Sequence, residues 1–417
     1  MATRITPRIL AATLASVPMM LSAHAEEAPK EEVAATFENA IKATKPIFNT
    51  RLRYETVDQD GIAETADALT YRFRAGLETG SYLGTKFLIE FDHVEDIVDD
   101  FNSTTNGKGT FPVVADPNVT ELNRFQLTNT SIADTTITLG RQRLIMDDSR
   151  FVGNVGWRQN EQTFDGLRVT NESLGKLKID AAYVTRVNRI FGDEGADAGG
   201  AAGHWTGDTY LFNASLPTAI GKVTGFAYLI DADEAAIMST QTIGARLAGK
   251  KPVGDGSLSY ALSYAQQQDF GSSNADYSAD FYMAEAAYGI KGFTVGAGYE
   301  VLGSDNGVSF KTPFATLHKF QGWADKFLVT PPNGIEDVYF KAGYKFGDVG
   351  PFKGLSVLGF YHDFSAETGS SDYGSEIDLV ASAKVGKFKL TLKYADYSAD
   401  AFATDTSKLW TQIDFAF

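Results

Sequence analysis

From residue 47 onward, apolar and polar side chains alternate in segments of about ten residues, and such alternation marks a strand with one apolar and one polar face. In residues 48–55, Leu52 and Tyr54 share one side while Arg51, Arg53 and Glu55 share the other. Residues 69–78 repeat the pattern more cleanly. Further segments begin near Tyr82, Thr120, Thr135, Glu161, Gly175, Trp205, Lys222, Thr240, Gly256, Asp276, Phe293, Ile335, Leu355, Ser375, Lys387 and Ser407. That makes roughly eighteen strands, with no convincing long amphipathic helix between them.

The connections carry independent information. Tight turns, most of them containing Gly, recur at residues 79–81, 133–134, 173–176, 219–222, 289–292 and 385–387, with slightly longer ones at 249–252 and 347–351. Gly supplies the positive φ that tight hairpins require. Longer connections fall between them, at 96–119, 145–160, 189–204 and 303–334. A meandering barrel with both termini in the periplasm has short periplasmic turns and longer outer loops, whereas a soluble sandwich has no reason to sort loop length by parity. The last stretch fits: Leu409, Thr411, Ile413 and Phe415 alternate with polar Gln412 and Asp414 up to Phe417. In a closed barrel such a strand pairs with the first and leaves no edge. An alternating strand that closes on an aromatic residue resembles the last strand of bacterial outer-membrane barrels. The expected fold class is all-β: a transmembrane antiparallel up-and-down β-barrel of about 18 strands, with short periplasmic turns and longer extracellular loops, over residues 47–417.

The amino end reads as a processing signal. Arg4 and Arg8 precede a short apolar core at residues 9–21, and Ala23-His24-Ala25 is a small-x-small cleavage site, so residues 1–25 are expected to be removed on export. Residues 26–46 read as a polar, partly helical periplasmic lead-in, with Val33, Phe37 and Ile41 at helical spacing and a stop at Pro46. The chain has no Cys, which excludes a disulfide framework, thiolate metal sites and Cys catalysis. Its formal net charge of −16 argues against nucleic acid as a partner.

If the apolar face meets lipid, the alternate face lines the lumen. Parity then assigns to the pore lining Arg51, Arg53, Arg72, Arg74, Lys86, Arg124, Arg168, Lys178, Arg186, Arg246, Lys341, Lys345, Lys389 and Lys393. The clearest lumen carboxylates are fewer: Glu55, Glu78, Glu90, Asp92 and Asp180, with other acidic residues in loops such as 95–100. An acidic chain would thus have a basic interior, which attracts anions unless the cations are paired to brace the wall. A bulge would flip parity, and residues 163–168 are where the apolar register changes. Tyr54, Phe73, Phe87, Phe91, Phe340, Tyr344, Tyr394 and Phe415 suit interfacial girdles, or reflect ordinary strand propensity.

Three stretches resemble the alginate export family of outer-membrane barrels. They are residues 139–142 leading into 147–160 and 162–165, residues 187–192, and residues 312–327; the opening Arg51-Leu52-Arg53-Tyr54-Glu55 fits as well. The resemblance runs from about residue 47 to the C terminus. It implies an eighteen-stranded, monomeric barrel and a diffusion pore, with an electropositive passage for a polyuronate in the namesake members. Within the third stretch, His318, Lys319, Gln321, Trp323, Asp325 and Lys326 belong to an outer loop long enough to fold inward. They would contact a sugar or line a constriction, or else Phe320 and Trp323 simply pack the loop against the wall.

Catalysis has no footing in the motifs. The mature chain has only His93, His204, His318 and His362, none beside a Gly-x-Ser-x-Gly elbow, and there is no zinc-protease pair or phosphate loop. Asp58-Gln59-Asp60-Gly61 starts like a calcium loop but lacks the rest. The expectation is therefore a non-enzymatic outer-membrane pore, with no cofactor and no metal, that passes anionic small molecules or acidic oligosaccharides such as alginate. Outer-membrane lipid is its other partner. The alternatives are a weakly selective general porin, a non-conducting adhesin or receptor barrel, and an outer-membrane hydrolase.

Overall fold

The computed structural model describes residues 36–193 and 202–416. The expected leader, most of the lead-in and Phe417 lie outside the described residues. The remainder of the lead-in forms α1 (Phe37–Lys42), capped by Thr36, whose hydroxyl oxygen accepts the Asn39 N–H at 3.2 Å. Phe37 stands edge-on to Tyr82 at 5.8 Å, which seats this turn of helix against the hairpin below the barrel.

The strands are β1 (Lys45–Gln59), β2 (Ala66–Glu78), β3 (Thr85–Asp100), β4 (Val119–Asn129), β5 (Thr135–Gln142), β6 (Thr163–Leu174), β7 (Leu177–Asn188), β8 (His204–Thr218), β9 (Gly221–Ile230) and β10 (Thr240–Val253). They continue with β11 (Gly256–Asp269), β12 (Ser278–Ile290), β13 (Phe293–Leu302), the two-residue pieces β14 (Ser304–Asp305) and β15 (Val308–Ser309), β16 (Ile335–Val349), β17 (Phe352–Ser365), β18 (Asp372–Val385), β19 (Phe388–Ala399) and β20 (Thr406–Ala416). β14 and β15 form a separate small hairpin, and the other strands make one 18-stranded antiparallel sheet. It closes where β20 pairs with β1, from Asn49↔Ala416 to Gln59↔Thr406. The sheet therefore has no free edge.

Every expected strand start falls on or within three residues of an observed one. β3 is the main difference at the far end: it runs on to Asp100, through the acidic run expected to open a loop. The bulge expected in residues 163–168 is not there: β6 runs without an inserted residue against β5, and the shift in its other ladder skips Thr185 of β7, between Asp165↔Arg186 and Gly166↔Val184. The apolar register changes because Phe164 packs inward against Phe314 of a loop. Arg168 therefore stays on the inward face, with its guanidinium on Asp180 at 2.5 Å. Further shifts break the ladders at Glu90/Phe91 and Val184/Arg186.

The outward face is apolar, as at Leu127, Leu139, Phe212, Leu262, Phe340 and Leu392. Two aromatic bands flank it. Toward the short turns, Phe48 meets Phe73 and Phe415, and Phe293 meets Tyr344. Toward the long loops, the hydroxyls of Tyr54, Tyr183, Tyr264 and Tyr394 donate to Asp67, Asp208, Asp280 and Asp396. An apolar belt between aromatic bands is what a bilayer requires of a barrel exterior.

Candidate functional site

Two long connections from the same end of the barrel fold inward and meet. They are residues 143–162, between β5 and β6, and residues 303–334, between β13 and β16. Their backbones join directly: Gly153 N–H donates to Phe314 O at 2.8 Å, Thr316 N–H to Ser149 O at 3.0 Å, and Val152 bridges Phe314. Leu144, Met146, Val152, Phe310 and Phe314 are buried between them and the wall, with Phe164 and Phe281 contributed by strands. This apolar core inside the lumen explains why the loops stay folded in.

The first loop is clamped by the arginines that parity placed on β1 and β2. The Arg51 guanidinium donates to the carbonyls of Gly156, Trp157 and Arg158 at 3.0–3.3 Å, and its Nε to Asp414 at 2.8 Å. Arg53 donates to Trp157 O and to Gln412 Oε1, and Arg72 to Gln159 O at 3.3 Å and to Asn49 Oδ1. From the loop itself, Arg158 returns to Glu55 and Asp325, both at 3.0 Å. Burial disfavours the Arg158 charge, but Glu55, Asp116 and Asp325 more than offset it and hold the group protonated.

The second loop is held beside the first, by β19 and β20, which adjoin β1. His318 is buried: its Nδ1 lies 2.6 Å from Asp325 Oδ1, and its Nε2 accepts from Lys393 Nζ at 2.5 Å. The ring stacks on Trp157 at 4.7 Å. Lys393 Nζ sits 3.7 Å from the Trp323 ring, 4.2 Å from Trp157 and 5.2 Å from Trp410, so three indoles surround one ammonium. Asp325 also takes Lys408 at 2.8 Å. Burial would raise the Asp325 carboxyl, but the hydrogen bond from His318 and the charges of Lys408 and Arg158 hold it well below the usual range, while burial keeps His318 well below its ordinary value and so neutral. Lys319 donates to Asp148 O at 2.5 Å, and Gln321 to Glu300 at 2.5 Å. Lys326 has no carboxylate at ion-pair distance among the described residues, and burial pulls its amine down to about 8. Trp323 packs against the wall, its ring 5.5 Å from Phe360.

The expectation of few lumen carboxylates is corrected. Arg74 pairs with Asp92 and Glu161, Arg124 with Glu90, Lys86 with Glu78, Arg168 with Asp180 and Lys178 with Glu172. Arg186 meets Asp193, Arg246 meets Asp148, and Lys341 meets Glu285. Lys389 stands across the ladder from Asp414, and Lys345 is exposed at the short-turn end. Loops supply part of the missing acid, at Asp148, Glu161 and Asp325. The rest comes from inward positions on late strands, where Glu300, Asp337, Glu376 and Asp378 face His362 and Arg150. Strand parity alone could have found Glu376 and Asp378. Arg143, Arg150 and Arg158, which parity also missed, lie in a loop whose path no periodicity records.

Pseudomonas aeruginosa OpdK with vanillate aligns with a TM-score of 0.70 at 14% identity, over 90% of this chain and 99% of that one. P. aeruginosa OpdO gives 0.68 at 14%, over 91% and 98%. P. aeruginosa OccK8 (OprE) gives 0.68 at 15%, over 91% and 99%. The fold is that of an outer-membrane porin barrel. With the apolar belt, it places the chain in the bacterial outer membrane. No known family profile matches the chain, and no curated protein does. The barrel implied by the alginate export resemblance is present, but these similar structures are described as OpdK, OpdO and OccK8 rather than as alginate exporters, so that family assignment is not supported.

Proposed function

We propose that the protein is a passive outer-membrane diffusion channel for small polar solutes, with a modest preference for anions. The observation that carries this reading is the meeting of the two inward loops across the lumen. It fills part of the lumen and commits most lumen charges to fixed pairs. Paired charges exert weak net fields beyond their immediate neighbours, so they do not strongly sort ions. The anion preference comes from cations that lack a carboxylate at ion-pair distance among the described residues, among them Arg72, Lys311, Lys326 and exposed Lys345. The similar OpdK structure holds vanillate, a small aromatic solute, and this supports a small-solute channel here. An acidic polysaccharide such as alginate is the less favoured cargo, since two loops that meet inside the lumen and a largely paired lining suit it less than an open, basic passage would. Swelling of proteoliposomes tests the reading. Small monocarboxylates should enter somewhat faster than neutral sugars of equal size, and uronate oligomers should be excluded. Equal entry of oligomers would overturn it.

A further inference from the structure

The two mouths of the barrel carry opposite charge. At the long-loop end, exposed carboxylates include Asp60, Glu64, Glu234, Asp276, Asp400 and Asp405. Lysines offer little opposition there: Lys108 is tied to Asp99 at 2.6 Å, and Lys311, Lys319 and Lys326 sit in the inward loop. At the short-turn end exposed lysines, among them Lys176, Lys250, Lys251, Lys291, Lys345 and Lys387, outnumber the exposed carboxylates Asp134 and Asp255. Two further carboxylates at that end are engaged, Glu172 by Lys178 at 2.8 Å and Asp348 by Lys353 at 3.1 Å. The chain's net charge of −16 is therefore not spread evenly but weighted toward one mouth.

We propose that this asymmetry makes the channel rectify. The inference rests on the diffusion-channel reading and adds a direction to it. Fixed negative charge at the outer mouth gathers mobile cations, and fixed positive charge at the periplasmic mouth gathers mobile anions. A voltage that is positive on the long-loop side drives both populations inward from their mouths toward the middle, and conductance rises. The opposite voltage draws both populations out and depletes the middle. At zero driving force there is no net flux, as a passive pore requires. Under a driving force, anions leave from the periplasmic side, and cations enter from outside, more readily than they move the other way. The same opposition of mouths explains why overall ion preference is modest: each mouth hinders one sign of ion.

Screening sets the conditions of the test, because the Debye length is about 10 Å at 0.1 M salt and about 3 Å at 1 M. Single channels would be recorded in symmetric KCl. Orientation would be fixed by Ser173→Cys in this otherwise Cys-free chain and an impermeant thiol reagent applied to one side. In 0.1 M KCl the current with the long-loop side positive should exceed the reversed current about twofold, and in 1 M KCl the two should be nearly equal. Replacing Lys176, Lys251, Lys291 and Lys387 with Gln should remove most of the asymmetry while unitary conductance in 1 M KCl stays unchanged. Asp400→Asn with Asp405→Asn should reduce it independently. Equal currents in 0.1 M KCl from a channel that still shows an ion preference would overturn rectification alone. Absence of current at any voltage would overturn the channel reading together with it.

Discussion

At the scale of single residues, the most committed group is Lys393. Its side chain was assignable to the lumen by parity, but its surroundings were not. Trp157 and Trp323 come from two different loops, and Trp410 sits on the polar face of an alternating strand. Periodicity fixes which face a strand residue takes and says nothing about what a loop brings to it. In the folded chain Lys393 ties both loops to β19 and β20 through His318 and the three indoles. Lys393→Met removes that cation and should weaken the inward position of the loops by about 2 kcal/mol, the scale of a desolvated cation–π contact. The expected result is noisier single-channel current with brief larger openings, and a red-shifted tryptophan emission. Lys393→Arg should restore part of the quiet behaviour by keeping the charge.

At the scale of elements, strand number, strand starts and the sorting of short and long connections were legible, because each follows from alternation or from turn chemistry; the bulge was not, since the extra residue is Thr185 in β7 rather than one in β6. The inward path of residues 303–334 was only suggested by its length. What fixes it is partly Gly322, whose φ is +77° and whose missing side chain lets the Glu376 carboxylate come close; a Cβ there would lie 2.3 Å from it. Glu376 accepts the N–H groups of Trp323 and Ala324, the latter at 2.7 Å. Gly322→Ala should cost about 1–3 kcal/mol and displace the loop, read as a larger unitary conductance with the barrel still heat-modifiable on gels. The same loop predicts a pH effect. Burial disfavours the charged amines of Lys311 and Lys326 and pulls each down to about 8, below the ordinary value for lysine. Below pH 8 they are cations and favour anions; as pH rises through 8 that charge is lost. Anion preference should therefore fall between pH 7 and pH 9, and Lys326→Arg with Lys311→Arg should keep it level. A preference that rises over that range would contradict this assignment.

At the scale of the whole molecule, the barrel is a consequence of one rule applied along the chain. Alternating strands must bury one face against lipid, and closure of β20 on β1 removes the last edge. The resulting lumen does not follow the count of inward cations read from sequence. Arg74, Arg124 and Arg168 point inward as parity requires, yet each meets a carboxylate from a neighbouring strand. A pore lined by many arginines is thereby only mildly basic. The most direct test is the reversal potential of the purified protein in planar bilayers under a KCl gradient at pH 7. The account predicts a small displacement toward the chloride equilibrium potential, corresponding to a permeability ratio of chloride to potassium of about 2 to 5, since a tenfold ratio would need about 1.4 kcal/mol of unpaired electrostatic bias. A reversal potential on the potassium side, or one close to the full chloride limit, would contradict it.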